Sequence, residues 1–253
     1  MQTIVRSAAA SIAVLLLTTA AFAQSPAKIR IVLVGDSTVT DESGWGRGFR
    51  EFVSPAVDVV NTAAGGRSSK SFIDEGRWAA ALKLRGDYYL IQFGHNDEPG
   101  KGPERETDPD TTYRQNMTRY VDDVRAQGGT PILVTSLVRR IYDENGAIKT
   151  TQTRYVEAVR AIAREKKVPL VDLHAISLAD AEHAGDDVWA DLSPTDPKGG
   201  VDRTHLNAKG SEVVGRMVVQ ELRTAVPALA GVIVLGDRSP AAERPQLLDR
   251  PLQ

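Results

Sequence analysis

The chain has 253 residues, with 31 Lys and Arg against 33 Asp and Glu, a formal net charge of −2, and no cysteine. This length suits one α/β domain, whose core is large enough to need no covalent cross-links. The near-neutral charge with scattered basic residues argues against a nucleic-acid partner. The lack of cysteine excludes thiol catalysis, thiolate metal sites and disulfides.

The first 23 residues are predicted to be a secretory signal peptide. Arg6 precedes an apolar run at Ala8–Thr19, and small residues follow at Ala21–Ala23. The run is too short for a membrane span. Beyond residue 237, Pro, Arg and Ala dominate, which is typical of a tail. We therefore expect a secreted or periplasmic protein without a membrane partner, divided into a signal peptide at 1–23, a domain at 24–228 and a tail at 229–253.

The first apolar run of the mature chain predicts a buried strand at Ile29–Val34 that stops at Gly35. Asp36 and Ser37 follow, at the position where open α/β sheets place their chemistry. Ser37 is therefore a candidate nucleophile, with backbone N–H groups nearby that could stabilise a developing negative charge. The alternative is a turn in which Asp36 and Ser37 only satisfy backbone donors.

Two glycine-rich loops come next, one on each side of a predicted strand at Val57–Asn61. The first contains Trp45, which is either a core residue or a surface for stacking against a sugar ring. The second contains Gly65 and Gly66 directly before Arg67, and paired glycines let backbone N–H groups approach a ligand closely. A plain connector remains the alternative for this second loop.

A third predicted strand, Asp87–Phe93, ends in the polar run Gly94–Asp97. The side-chain amide of Asn96 could stabilise an oxyanion or cap a helix. A single histidine such as His95 is more often structural than catalytic. Residues 98–109 are polar and rich in proline, which is typical of a surface loop.

Helices and strands then alternate regularly to the end of the domain. This order predicts a three-layer α/β/α fold around a parallel five-stranded sheet. The irregular segment 185–200 is predicted to be a loop. Helices are predicted at Thr112–Gln127, Thr153–Lys167, Ala175–Ala184 and Ala208–Thr224, and strands at Pro131–Ser136 and Val168–Leu173.

Asp202 stands three residues before His205 in a late loop. Its carboxylate could hold the imidazole Nδ1–H while Nε2 points outward, as a general base requires. The alternative is a turn beside a helix start. Because strand ends meet at one edge of a parallel sheet, Ser37, Asn96 and His205 can converge there. Together they supply the groups needed for acyl transfer. No metal-ligand spacing is visible, and we expect no metal or cofactor.

These segments resemble the SGNH (GDSL-type) hydrolase family, and most closely its rhamnogalacturonan acetylesterases. The resemblance runs from about residue 29 to about residue 225. No serine stands in Gly-x-Ser-x-Gly, so the nucleophile elbow of the α/β-hydrolase fold is absent, as in the SGNH class. The matching segments are Gly35–Thr38, Gly44–Gly46, the Asn61–Ser68 loop, Phe93–Asp97 and Asp202–His205.

The resemblance implies a flavodoxin-like sheet and a serine esterase mechanism. Ser37 would be the nucleophile, His205 the base and Asp202 its orienting partner. The oxyanion would be held by the N–H groups of Ser37 and Gly66 and by the Asn96 amide. Substrate-binding residues are expected at Trp45, Arg67, His95 and Asp97.

The function expected on this basis is removal of acetyl groups from a plant cell-wall polysaccharide, with rhamnogalacturonan as the expected substrate. The protein is expected to be a monomer. One alternative is the same chemistry on acetylxylan or another acyl ester. The alternative from a different class is an acetylated-glycan binder on the same fold without turnover.

Overall fold

The computed structural model describes residues 28–235, and the predicted signal peptide at 1–23 lies outside them. All five strands are parallel, in the order β2-β1-β3-β4-β5. The chain moves from β1 to β2 on one side and to β3 on the other, so the topological switch point lies between β1 and β3. The strands are β1 (Ile29–Gly35), β2 (Val57–Asn61), β3 (Tyr88–Gln92), β4 (Thr130–Val134) and β5 (Leu170–Val171).

Helices cover both faces of the sheet. Alternate residues of β1 bury against the two faces: Ile31 and Leu33 belong to one hydrophobic cluster, and Val32 and Val34 to the other. This arrangement confirms the predicted three-layer fold. The helices are α1 (Gly46–Glu51), α2 (Ser69–Asp74), α3 (Arg77–Leu82), α4 (Thr112–Ala126), α5 (Thr153–Lys166), α6 (Leu173–Ala184), α7 (Asp186–Ala190) and α8 (Ala208–Ala225), followed by a 3₁₀ turn (Pro227–Val232).

The structure differs from the sequence prediction after β4. β5 has only two residues, because the Asp172 side chain accepts a hydrogen bond from the N–H of Ala175 and starts α6 at Leu173. The segment 185–200, predicted to be a loop, contains the short helix α7. Its Trp189 is fully buried, which anchors this helix against the core.

The predicted domain boundary at residue 228 is wrong. Leu229 is fully buried and Ile233 is 8% exposed, and Ile233 forms an antiparallel bridge with Val53. The N–H of Val234 also donates to the carbonyl of Phe52 at 2.8 Å. The domain therefore continues to at least residue 235, because this apolar run completes the core beneath α1 and α8. The rest of the predicted tail lies outside the described residues.

Helices α1 and α8 are predicted to depend on a glycine contact for their close approach. A Cβ on Gly215 would lie 2.4 Å from the Gly48 carbonyl carbon and from the Phe49 nitrogen. Gly215→Ala should therefore lower the free energy of unfolding by roughly 1–3 kcal/mol, measured by urea denaturation. Gly231→Ala is the control, because a Cβ there meets nothing within 4 Å. Equal unfolding midpoints for the two variants would contradict this packing.

Candidate active site

The candidate site lies at the carboxyl edge of the sheet, beside the switch point. Ser37 follows β1 by two residues, and Asn96 follows β3 by four. The loop after β2 continues along β1, since Thr62 N–H donates to the carbonyl of Leu33 at 2.9 Å and Ala64 N–H to that of Gly35 at 3.0 Å. The loops after three adjacent strands therefore meet at this edge.

Ser37, His205 and Asp202 are joined by short polar contacts. Ser37 Oγ lies 2.9 Å from His205 Nε2, and His205 Nδ1 lies 2.7 Å from Asp202 Oδ2. The other carboxylate oxygen, Oδ1, accepts hydrogen bonds from the N–H groups of Thr204 at 2.8 Å and His205 at 3.0 Å. The carboxylate thus folds back onto its own loop and holds the imidazole toward the serine.

The ionisation of Asp202 fixes the imidazole tautomer. Partial burial raises the pKa of Asp202, but hydrogen bonds from His205 and from the Thr204 N–H outweigh this and leave the pKa below its usual range. A carboxylate only accepts, so Nδ1 carries the proton. Nε2 is then free to accept the Ser37 hydroxyl proton, as a general base does.

Hydrogen-bond donors surround the serine on the side of the second loop. An ideal Cβ on Gly65 would lie 3.8 Å from Ser37 Cβ, which places this loop against the serine. Gly66 has a φ of +77° and open space where a side chain would start. Within residues 28–235, the N–H groups of Ser37 and Gly66 have no acceptor. They are available for a ligand oxygen.

Asn96 brings a third donor to the same place. Its side chain is 9% exposed, and Nδ2 donates to the carbonyl of Arg67 at 3.2 Å. This bond links the loop after β3 to the residue that follows Gly66. One amide hydrogen is used in it, and the second remains for a ligand. The three predicted oxyanion donors are therefore on adjacent loops.

Trp45 does not lie where a sugar could stack. Its ring is fully buried in the core, and Nε1 donates to Gln92 Oε1 at 3.0 Å. The prediction that it binds substrate is wrong, because its indole N–H finds an acceptor at the end of β3 inside the protein. Of the two alternatives for this glycine-rich loop, the core residue is confirmed.

His95 and Asp97 are also buried rather than facing a ligand. His95 is 2% exposed, and its Nδ1 lies 3.6 Å from Asp36 Oδ2. Asp97 is fully buried and accepts hydrogen bonds from the hydroxyls of Ser69 at 2.6 Å and Thr107 at 2.9 Å. Their burial overturns the predicted substrate-binding roles, since both side chains turn inward, and Asp97 also ties its loop to α2.

Arg67 is the one predicted substrate-binding residue with an accessible side chain. The side chain is 36% exposed; Nη1 donates to the carbonyl of Gly65 at 2.8 Å and Nε to Glu75 Oε2 at 3.0 Å. Its guanidinium is thus held beside the Gly65–Gly66 backbone. A substrate contact for Arg67 stays a prediction.

Two arginines in the loop after β4 lie at the site, although the sequence predicts only a polar connector there. Arg139 pairs with Glu98 and donates to the carbonyl of His95 at 3.3 Å, so it braces the loop that carries Asn96. Arg140 contacts the loop of Asp202 and His205. Their position just beyond a strand end was the only available signal.

Residues 28–235 contain no group of three or more His, Asp or Glu side chains arranged to hold a metal. In the same range, none of the helices is long and apolar enough to cross a lipid bilayer.

The fold and the geometry of this edge fit an ester hydrolase. The chain belongs to the GDSL-like lipase/acylhydrolase family, whose sequence profile matches residues 33–213, and it is a carboxylic ester hydrolase of that family.

The chain is 39% identical over 209 residues to rhamnogalacturonan acetylesterase RhgT of Bacillus subtilis, covering 76% of this chain and 88% of the relative. It is 31% identical over 228 residues to a rhamnogalacturonan acetylesterase of Emericella nidulans, covering 82% and 90%.

Solved structures share the fold. YxiM of Bacillus subtilis superposes with a TM-score of 0.69 at 28% identity, over 80% of this chain and 57% of that one. The acetylxylan esterase Axe2 of Geobacillus stearothermophilus gives a TM-score of 0.56 at 18% identity, over 76% and 93%. At that identity, the likeness to Axe2 shows the fold alone.

Asp97 is predicted to make stability depend on pH. Burial raises its pKa from the ordinary 3.8 to about 7, against the hydrogen bonds from Ser69 and Thr107. The folded protein therefore holds a proton that the unfolded chain releases at lower pH. The contribution of Asp97 to the free energy of unfolding should fall as the pH rises from about 4 to about 7.

This prediction is tested with Asp97→Asn, which cannot titrate. Urea unfolding of both proteins between pH 4.5 and 8 gives the difference in stability, wild type minus variant. The difference should shrink, or change sign, as the pH rises. A difference that is constant over this range would contradict a raised pKa at Asp97.

Proposed function

We propose that the protein is a serine carbohydrate esterase that removes acetyl groups from polysaccharide, with acetylated rhamnogalacturonan as substrate. One observation carries the proposal: Asp202, His205 and Ser37 form a hydrogen-bonded triad beside three hydrogen-bond donors at one sheet edge. Asp202 Oδ2 lies 2.7 Å from His205 Nδ1, and His205 Nε2 lies 2.9 Å from Ser37 Oγ. A glycan binder without turnover would need no such triad.

In the first half-reaction, Ser37 Oγ attacks the carbonyl carbon of the acetyl ester while His205 Nε2 takes the hydroxyl proton. Asp202 stabilises the imidazolium that forms. The tetrahedral oxyanion is held by the N–H groups of Ser37 and Gly66 and by Asn96 Nδ2. The intermediate then collapses; the sugar oxygen leaves with the proton from His205, and an acetyl group remains on Ser37.

In the second half-reaction, water replaces the sugar. His205 takes a proton from this water, and the hydroxide attacks the acetyl carbonyl. The same donors stabilise the second oxyanion, and collapse returns the proton to Ser37 Oγ and releases acetate.

Two observations support rhamnogalacturonan over a neutral polymer. The curated relatives with 31% and 39% identity are named for that substrate. The Arg67 guanidinium also lies beside the Gly65–Gly66 backbone; Nε pairs with Glu75, and the side chain stays partly exposed. Rhamnogalacturonan carries galacturonate carboxylates, which a guanidinium binds well, whereas the main chain of xylan is uncharged.

Export is part of the proposal. The apolar N-terminal segment and the small residues before Gln24 support cleavage there. Protein recovered from the periplasm or medium should begin near Gln24, as measured by intact mass. An N-terminus at Met1 in the exported fraction would contradict cleavage.

The substrate is tested by acetate release from acetylated rhamnogalacturonan and acetylated xylan, side by side. Wild type should prefer rhamnogalacturonan, and Ser37→Ala should release acetate from neither. Arg67→Gln should lose much of the preference for rhamnogalacturonan but keep its activity on a small aryl acetate. Equal or greater release from xylan by wild type would overturn the substrate. No release from polymers or aryl acetate would favour the glycan binder.

Asn96→Ala is predicted to be folded and slow. Removing one oxyanion donor costs about 10²–10³ in kcat, while the lost contact with the Arg67 carbonyl affects only one hydrogen bond. The control is Asn116→Ala. The Asn116 amide donates to Ser69 Oγ at 3.1 Å and makes no contact with Ser37, so this variant should turn over at close to the wild-type rate. Full turnover by Asn96→Ala would remove Asn96 from the oxyanion site.

A further inference from the structure

Arg140 is a charged side chain in the interior, next to the candidate triad. It follows β4 at the same edge of the sheet, and its side chain is 1% exposed. Lysine and arginine are rarely buried to this extent without a specific partner. Its surroundings therefore indicate what it does.

The side-chain acceptors of this guanidinium are all uncharged, and two of the three are carbonyls of the segment 202–205. Nη2 donates to Ser193 Oγ at 2.9 Å, to the carbonyl of Asp202 at 3.2 Å and to the carbonyl of His205 at 3.0 Å. The backbone N–H of Arg140 also donates to the carbonyl of Arg203 at 3.0 Å. Residue 140 thus binds both ends of the four-residue segment that carries the acid and the base.

Burial of this cation is unfavourable in itself. Removal from water lowers the pKa of Arg140 to about 10, which leaves the side chain charged at neutral pH. A cation–π contact with the Trp189 ring, at 4.9 Å from its centroid, compensates in part. An apolar side chain of similar volume would pack here without the desolvation cost. Packing alone therefore does not account for an arginine.

We propose that Arg140 is a positioning residue for the triad, an inference that rests on the proposed function. By binding the carbonyls of Asp202 and His205 through the single nitrogen Nη2, it fixes the path of the backbone between them. The imidazole then keeps Nε2 at 2.9 Å from Ser37 Oγ. A displacement of about 1 Å in such an arrangement can cost 10²-fold in rate.

The segment has other anchors, so the fold should survive loss of Arg140. Asp202 N–H donates to the carbonyl of Pro194 at 2.9 Å, and Leu206 N–H to that of Ser43 at 2.9 Å. Asn207 caps α8 by accepting from the N–H of Gly210. These bonds hold the two flanks, whereas Arg140 holds the turn between them.

The test compares Arg140→Met, Arg140→Lys and Arg216→Met with wild type. Met keeps the apolar stem and removes every side-chain donor, while the backbone N–H still donates to the Arg203 carbonyl. Lys keeps the charge but lacks the planar guanidinium. Arg216 is the matched control, because its guanidinium also stacks on an aromatic ring, that of Phe52 at 5.5 Å, but lies on α8 away from the triad. Steady-state kinetics on an aryl acetate and unfolding midpoints are measured for all four.

For Arg140→Met we expect kcat to fall about 10- to 100-fold, with KM within about twofold and with wild-type circular dichroism. Arg140→Lys should recover part of the loss, and Arg216→Met should keep the wild-type kcat. A merely structural role would lower the unfolding midpoint and leave the kcat of the folded protein unchanged.

Either Arg140 variant with a wild-type kcat would overturn the proposal. If Arg140→Met does not fold, Arg140→Lys decides, with a fall of at least fivefold in kcat expected. A failure of the proposed function would give a different result from a failure of the Arg140 proposal: the wild type would be inactive, or Ser37→Ala would be as active as wild type.

Discussion

The turn that places Ser37 depends on a chain of buried hydrogen bonds beneath it. Asp36 Oδ1 accepts from the backbone N–H of Thr38 at 2.9 Å and from its hydroxyl at 2.7 Å, so the two residues on either side of the serine are tied together. The Thr38 hydroxyl in turn accepts from Gln92 Nε2 at 2.6 Å. The serine side chain is left pointing away from the core.

This chain couples the serine to the sheet. Gln92 is the last residue of β3, and its Oε1 accepts from the buried Trp45 indole. Burial raises the pKa of Asp36, but His95 and the bonds from Thr38 outweigh it, so the pKa is lowered and the carboxylate remains a strong acceptor. Because all of these groups are in the interior, the turn is rigid before any ligand arrives, as preorganised catalysis requires.

The remaining parts of the site are positioned by similar internal ties. Asp97 joins the loop of Asn96 to the start of α2 through Ser69, while Arg140 holds the loop of His205. The candidate catalytic groups stand on loops, but each loop is fixed by a buried polar side chain. These polar side chains satisfy backbone groups that an apolar core would leave without partners.

Much of this could be predicted from the sequence. The runs that form β1 to β4, and helices such as α4 and α8, follow apolar periodicity closely. Strand ends and the Asp-x-x-His spacing carry local information that predicts Ser37, Asp202 and His205 as neighbours, and the structure brings the three side chains within hydrogen-bond distance. What could not be read locally is where a polar or aromatic side chain points once its loop folds.

Trp45 shows most clearly that the local sequence does not determine where a side chain points. A tryptophan between glycines suits either a surface or a core, and only the distant Gln92 side chain decides between them. The orientations of His95 and Asp97 also depend on residues from other segments. His95 lies beside Asp36, and Asp97 accepts from Ser69 and Thr107. The helix α7 cannot be predicted from apolar periodicity, because its five residues are too few to show a period.

We propose that His205 activates Ser37 as a nucleophile, and covalent labelling tests this chemistry. An alkyl phosphonate with a 4-nitrophenyl leaving group is added to wild type and to Ser37→Ala, and the modified peptide is identified by mass spectrometry. We expect one phosphonyl group per wild-type molecule, on the peptide that contains Ser37, with parallel loss of esterase activity and no adduct on the variant. Inactivation through an adduct on a different residue, or complete labelling of Ser37 with activity intact, would contradict it.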